Sequence, residues 1–483
     1  MTTLSTATQL VAQTPRKPGI RRFTLSVVAA TMTISLLLAF SAALAGAPTK
    51  VILLALASVP AAALVFFAAR RAATASVRWD LFSPWASFPV LYVAWFALGS
   101  LNLVEVPPSF SFGLFEPIPA YVMGYAALGL GAYLAGVSWG QKRAGRAEGR
   151  ACQFYWRDDR FALVVAGLGL LMLGSYIYIV AGMGAIPSLS ADAGEIRLRI
   201  TRYGAAEAVM FTGAWTLIPA LMLYAWRRHP RPLVKWGCYC GVAVSSVLLL
   251  SLGGRSYLFV PLLTTLVARH YGKKRFAAGR VVVVGLALFL SLSLLGYLRD
   301  IALYGQDYGE DRIGIPGSVL PFIYAYFYVR YPVATFRDIT EIIPQKVPYQ
   351  NGALTFGPLA TLLPGHHEQS DMFFKDVLGN DFIGAGQPAT LLGPLYADAG
   401  LPGIVAGLFL AGMLSSRVHA WMGSEPTPLR VLLYAWLMQT LLFSLFANLF
   451  PYITTLWMPA FWMVLDRFLR RPAANHGAVP VSA

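Results

Sequence analysis

Twelve apolar stretches, 15 to 23 residues long, follow one another along this chain: 23–45, 51–69, 84–104, 118–139, 161–181, 208–226, 236–252, 256–270, 281–298, 399–420, 429–448 and 452–468. A helix rises about 1.5 Å per residue, so about 20 apolar residues reach across the hydrocarbon of a bilayer. Lipid offers no hydrogen bonds, so a spanning chain must satisfy its backbone internally, as helices do. The expected class is therefore an all-α polytopic membrane protein of about 12 transmembrane helices with a large, partly helical external loop. Charge agrees, since 12% of residues are Asp, Glu, Lys or Arg, against about 25% in a soluble domain. The first apolar run is long and is flanked by Arg16, Lys17, Arg21 and Arg22. It reads as a first anchor rather than a removed leader.

The net charge of +16 could suggest a nucleic-acid partner, but its distribution explains it differently. Cytoplasmic connectors of membrane proteins carry the excess of Lys and Arg. Placing the connectors 1–22, 70–83, 140–160, 227–235, 271–280, 421–428 and the tail from 469 inside, together with the basic residues at the adjoining helix ends, gathers 27 of the 38 basic residues there. The carboxylates divide the other way, 16 of 22 outside. No nucleic-acid partner is needed, and both termini come out cytoplasmic. The expected organisation is a cytoplasmic tail (1–22) and nine helices (23–298) interrupted by an external loop at 182–207. A large periplasmic or extracellular loop (299–394), three further helices (395–468) and a cytoplasmic tail (469–483) complete it.

Several chemistries lack their signatures. There is no Gly-rich phosphate loop with its Lys and Ser/Thr, and no His-Glu-x-x-His zinc motif. Cys152, Cys238 and Cys240 are too few for a disulfide framework. The last two read better as small residues packing a helix than as metal ligands. No ionisable side chain sits near the middle of an apolar stretch, which argues against an ion-coupled transporter.

Function should lie in the external segments. Long loops in compact proteins commonly carry it, and 299–394 is the longest non-apolar interval. Arg255, in LLLSLGGRSYLFVP, follows two glycines that permit a tight turn. It stands at the outer surface, where its guanidinium can fork onto phosphate oxygens or merely snorkel to the interface. In EIRLRITR (195–202) a helix would set Glu195, Arg199 and Arg202 on one face, with Arg197 elsewhere. That run is either a polyanion site or a solvated face with a weak ion pair. His366 and His367 are adjacent in LLPGHHEQSD. A histidine can take a proton from a hydroxyl near neutral pH, with Glu368 or Asp371 to orient it, or be an idle loop residue. Arg330, in YAYFYVRYP, is a further anion contact. The surrounding 317–343 reads as one or two amphipathic or re-entrant helices on the outer interface, with tyrosines able to stack on sugar rings or form an interfacial belt.

Three segments carry a resemblance: GGRSYLFVPLLTTLVARHYGKKR (253–275), GMGAIPSLSADAGEIRLR (182–199) and LLGPLYADAGLPGIVAGLFLAGML (391–414). Across 160–420 the chain resembles the Wzy-type oligosaccharide repeat-unit polymerases, the O-antigen and exopolysaccharide polymerase family. The resemblance implies a metal-independent glycosyltransferase without cofactor, acting at the outer face of the bacterial inner membrane. Donor and acceptor would both be undecaprenyl-pyrophosphate-linked oligosaccharides. Arg255, Arg202, Arg199, Arg330 and Arg197 would bind pyrophosphate and stabilise it as it leaves. His367 or His366 would deprotonate the acceptor hydroxyl, with Asp371 or Glu195 as substitutes. A repeat-unit flippase and a chain-length regulator are the partners implied. A ligase moving lipid-linked glycan to another acceptor shares the arginine logic. A flippase of lipid-linked sugars would instead need a polar path through the bilayer. A non-enzymatic scaffold would leave the external arginines without a task.

Overall fold

The computed structural model describes residues 80–101, 116–142, 152, 154–190, 200, 203–226, 231–273, 275–276, 278–304, 320–360, 370–379, 387–447 and 453–470. These residues are mostly helical and contain no strand. The helices are α1 (Ser87–Ser100), α2 (Ala120–Lys142), α3 (Asp158–Met183), α4 (Gly204–Ala225), α5 (Pro232–Ser251), α6 (Arg255–Gly272) and α7 (Ala278–Tyr304). They continue with α8 (Leu320–Ile342), α9 (Ala353–Ala360), α10 (Ser370–Val377), α11 (Leu392–Ser424), α12 (Pro428–Phe443) and α13 (Ile453–Leu469). Ten of the expected apolar stretches fall on helices; 23–45 and 51–69 lie outside the described residues. Five helices, α2, α3, α4, α5 and α11, are long and apolar enough to cross a membrane. The architecture is that of an all-α membrane protein.

Apolar side chains follow two rules. In α4 nearly every residue from Met210 to Ala225 is buried, so this helix is surrounded by protein. In α3 and α5 the large residues point away from the bundle: Leu163, Leu170, Leu171 and Ile177 on one, Leu233, Trp236, Val244 and Val247 on the other are all exposed. A helix face this apolar has lipid as its natural solvent.

Glycine sets the closest approach in the bundle. The α2 and α11 pair makes the most extensive helix contact. A Cβ added at Gly136 would lie 2.0 Å from the Phe409 carbonyl oxygen, and one at Gly412 would lie 2.1 Å from the Tyr133 carbonyl oxygen. Without hydrophobic driving force between lipid-bathed helices, small residues that let backbones meet supply the packing.

Helix α11 is two helices in series. Ala399 (φ −147°, ψ 18°) and Gly400 (φ 64°, ψ −147°) break it, and Pro402 follows. Gly400 takes a left-handed φ open to glycine without penalty. The acid in LYADAG serves the break: both Asp398 carboxylate oxygens accept backbone N–H groups, from Leu354 at 3.0 Å and Thr355 at 2.7 Å. Asp398 thus satisfies the first turn of α9, a capping role its place in the sequence hides.

A second carboxylate ties the chain's late residues to an early connector. Asp466 is buried and accepts from Tyr155 Oη at 2.9 Å, Trp156 Nε1 at 3.0 Å and Arg470 Nε at 2.7 Å. The Arg157 N–H donates to the Leu469 carbonyl at 3.0 Å, and Arg160 Nη1 to the Phe468 carbonyl at 2.7 Å.

Candidate functional site

Helix α8 is largely buried against neighbouring helices. It packs on α7, α1 and α11, and Val333, Ala334, Phe336 and Ile339 are fully enclosed. Apolar residues of this stretch meet other helices over much of α8, while Phe322 near its start is exposed. Arg330 and Arg337, seven residues apart, lie on one face of α8, and each is 1% exposed.

The partners of these arginines define their work. Arg330 donates from Nη1 to the Gly99 carbonyl at 2.6 Å and from Nη2 to the Glu116 carbonyl at 2.5 Å. Arg337 donates from Nη1 to the same Glu116 carbonyl at 2.9 Å, and from Nε and Nη2 to Asp338 Oδ1 at 2.8 and 2.6 Å. Tyr326 Oη adds a bond to the Leu101 carbonyl. One helix therefore grips the chain on both sides of 102–115. Both terminal nitrogens of Arg330 thus bond backbone carbonyls in a closed setting, which ties α8 to the ends of this connector. Burial pushes the Asp338 carboxyl up to about 6, against the pull of Arg337.

The turn before α6 matches the sequence expectation. Gly253 has φ +77°. Gly254 is the extended residue preceding α6, and a Cβ on it would meet the Tyr257 ring at 2.3 Å. Both positions require glycine, one for conformation and one for space. Arg255 opens an 18-residue helix whose N-cap residue, Gly254, supplies no side-chain cap. Such an end presents the positive pole of the helix dipole. The turn lies against the short 3-10 turn Pro187–Leu189: a Cβ on Gly253 would stand 3.7 Å from Pro187 Cβ and from the Ser188 nitrogen. The Gly-Gly-Arg turn and the start of the arginine-bearing segment thus share one corner. Within that segment Ile200 is buried. Glu195, Arg197, Arg199 and Arg202 lie outside the described residues, as do His366 and His367.

Asp371 sits in the first turn of α10. It lines a small cavity with Ser370, Phe374, Gln387 and Thr390. Its backbone carbonyl accepts from the Gln387 N–H at 2.8 Å. Gln387 is 3% exposed, and its Nε2 donates to Thr335 Oγ1 of α8 at 3.4 Å.

Sequence reading missed a polar centre at the opposite end of the bundle. Asp80 Oδ1 accepts from His270 Nε2 at 3.1 Å and from Tyr271 Oη at 2.8 Å. Asp80 Oδ2 has His419 Nε2 at 3.6 Å and Arg275 Nη1 at 4.0 Å. The Phe276 N–H donates to His270 Nδ1 at 3.1 Å, which makes Nε2 the nitrogen that carries hydrogen toward Asp80. Tyr434 closes the group by donating to the Phe82 carbonyl. Separations of 190 residues (Asp80 to His270) and 148 (Tyr271 to His419) hide such a cluster from any local motif. The cluster lies at the end of α6 away from the Gly253–Gly254 turn, where it joins the segment before α1 to α6 and α11.

Burial opposes the Asp80 charge, but hydrogen bonds from His270 and His419 outweigh it and hold the carboxyl well below the usual carboxylate range. A lowered folded-state pKa gives stability that is complete above the ordinary value of about 3.9 and drains away as pH falls below it. Thermal unfolding in detergent is expected to show that acid-side loss in the wild type and a flatter profile in Asp80→Asn. Parallel profiles would remove this role from Asp80.

Among the described residues, no group of three or more His, Cys, Asp or Glu is placed to hold a metal ion. Comparison with protein-family models, characterised proteins and solved structures finds no match for this chain.

Proposed function

We propose that this chain is a polymerase joining undecaprenyl-pyrophosphate-linked oligosaccharide repeat units by glycosyl transfer at the outer face of the bacterial inner membrane, in O-antigen, capsule or exopolysaccharide synthesis. The reading includes about twelve spans, cytoplasmic termini and an outward-facing site. One observation supports it most: the Gly253–Gly254–Arg255 turn rests against Pro187 and Ser188, at the start of the segment that carries Arg197, Arg199 and Arg202. A pyrophosphate at this corner would meet the N-terminus of α6, which follows Gly254 and begins with Arg255, with more arginines a few residues along the chain. Both sources of positive potential strengthen as charge develops on the leaving pyrophosphate.

The chemistry needs few parts. Phosphate contacts hold the donor; a base takes the proton of the acceptor hydroxyl; the acceptor oxygen attacks the anomeric carbon; the pyrophosphate departs with the bonding electrons. Arginine serves better than lysine here because its fork engages two oxygens at once.

The test is polymer formation in cells carrying Arg255→Ala or Arg255→Lys, read as a glycan ladder with protein amount checked by an epitope tag. Loss of one charge-assisted contact in the transition state lowers rate by about 10²–10³-fold, so the ladder is expected to collapse to single repeat units. An unchanged ladder at normal protein level would make Arg255 an interfacial anchor and end the site assignment. Long glycan kept on the lipid carrier, untransferred, would replace polymerase by ligase.

A further inference from the structure

The cavity beside α10 has the form of a seat for one oxygen atom. It encloses about 220 Å³ including its open mouth, while its closed part has room for about one water molecule. Polar groups come from Ser370, Asp371, Gln387 and Thr390, and apolar walls from Phe374 and Pro394.

Two further features set this cavity apart from a packing gap. Thr390 has φ +55°, a left-handed conformation that is a genuine outlier for a β-branched residue. Strain of this kind persists only where surroundings over-determine it, and it gathers at ligand sites. Thr390 Oγ1 accepts the Leu392 N–H at 3.1 Å, which fixes the strained residue to the start of α11. Gln387 is the second feature. It is almost wholly buried and spans two elements, its backbone on the Asp371 carbonyl and its side chain on Thr335 of α8. A buried amide is costly unless engaged, and here its engagements fix the residue that bears the carboxylate.

We infer that the Asp371–Gln387–Thr390 cavity is the seat of the acceptor sugar's attacking hydroxyl, with Asp371 as its base and Gln387 as the residue that positions Asp371. The inference rests on the polymerase reading and adds the acceptor subsite to it. In the step, the hydroxyl proton passes to the Asp371 carboxylate. The acceptor oxygen forms the new bond to the donor's anomeric carbon. The bond from that carbon to the pyrophosphate oxygen breaks, and its electron pair leaves on undecaprenyl pyrophosphate.

The experiment uses full-length protein reconstituted in vesicles. Its probe is the lipid-linked repeat-unit fraction extracted from cells of the source strain that lack this chain. Rates of polymer formation are measured against pH for wild type, Asp371→Asn, Asp371→Glu and Gln387→Ala, with melting temperature recorded for each. General-base loss costs about 10²–10⁴-fold, so Asp371→Asn is expected to fall in that range at unchanged melting temperature and Asp371→Glu to recover part of the rate. Gln387→Ala is expected to lower the rate and displace the acid limb of the pH profile, which a purely structural glutamine would leave in place. Wild-type rates and profiles in both Asp371→Asn and Gln387→Ala would overturn the inference while leaving the polymerase reading intact. Absence of polymer from wild-type vesicles would defeat that reading and the subsite with it.

Discussion

Valine at Gly136 or Gly412 is expected to stop the folded protein from accumulating. Each position meets backbone, not side chain. The added Cβ would stand 2.0 Å from the Phe409 carbonyl oxygen in one case and 2.1 Å from the Tyr133 carbonyl oxygen in the other. No rotamer relieves such a contact, so α2 and α11 must part along the largest helix contact in the bundle. Overpacking costs about 1–3 kcal/mol where side chains can shift, and a backbone clash lies above that range. Even alanine is expected to lower the melting temperature. Gly167, Gly169 and Gly174 of α3 provide the contrast, because a Cβ there meets nothing within 4 Å. Size-exclusion profiles of detergent extracts give the comparison. A monodisperse Gly136→Val protein, melting with the wild type, would mean that this helix pair is not locked as described.

Asp466→Ala is expected to have the next largest effect. The carboxylate serves donors from two distant parts of the chain, Tyr155 and Trp156 on one side and Arg470 on the other. Its removal strands the Trp156 indole N–H in a buried site, and an orphaned buried donor costs about 1–3 kcal/mol. Tyr155 and Arg470 are half open to water and recover part of their loss. The connector carrying Trp156 and the end of α13 should then separate. Limited proteolysis of inside-out vesicles reads this as faster cleavage near residues 152–157. Asp466→Asn retains an acceptor for Trp156 and should fall between wild type and alanine. Equal cleavage in all three would assign the attachment to the Arg157 and Arg160 backbone bonds instead.

What the sequence discloses follows from how each signal is encoded. Helices α1 to α7 and α11 to α13 are legible because burial in lipid is written as a contiguous run of apolar residues. The turn at Gly253 is legible because a left-handed φ and a crowded neighbour both select glycine at adjacent positions. Arg330 was legible as a candidate anion contact, while its bonds to two backbone carbonyls were not. An arginine beside tyrosines suits a ligand as well as it suits two backbone carbonyls, and only the third dimension brings Gly99 and Glu116 to it. Asp398 was hidden for the same reason, since the N–H groups it caps lie more than 40 residues earlier. The Asp80 cluster joins the start of α1, the end of α6 and the end of α11, and no periodicity records that meeting. The packing of α8 on α1, α7 and α11 was not legible, because aromatic residues mark an interface and a helix-lined interior equally well.

The break in α11 deserves a mechanical statement. A continuous helix acts as a stiff rod and carries a rotation at one end to the other. At Ala399–Gly400 the rod is jointed. The outer piece, from Leu392 to Asp398, takes its bearing from α9 through the Asp398 cap and from the Thr390 bond at its start. The inner piece is held by Gly412 against α2. Tilting of the piece that follows Gly400 therefore reaches Leu392–Asp398 as translation at a swivel and not as torque.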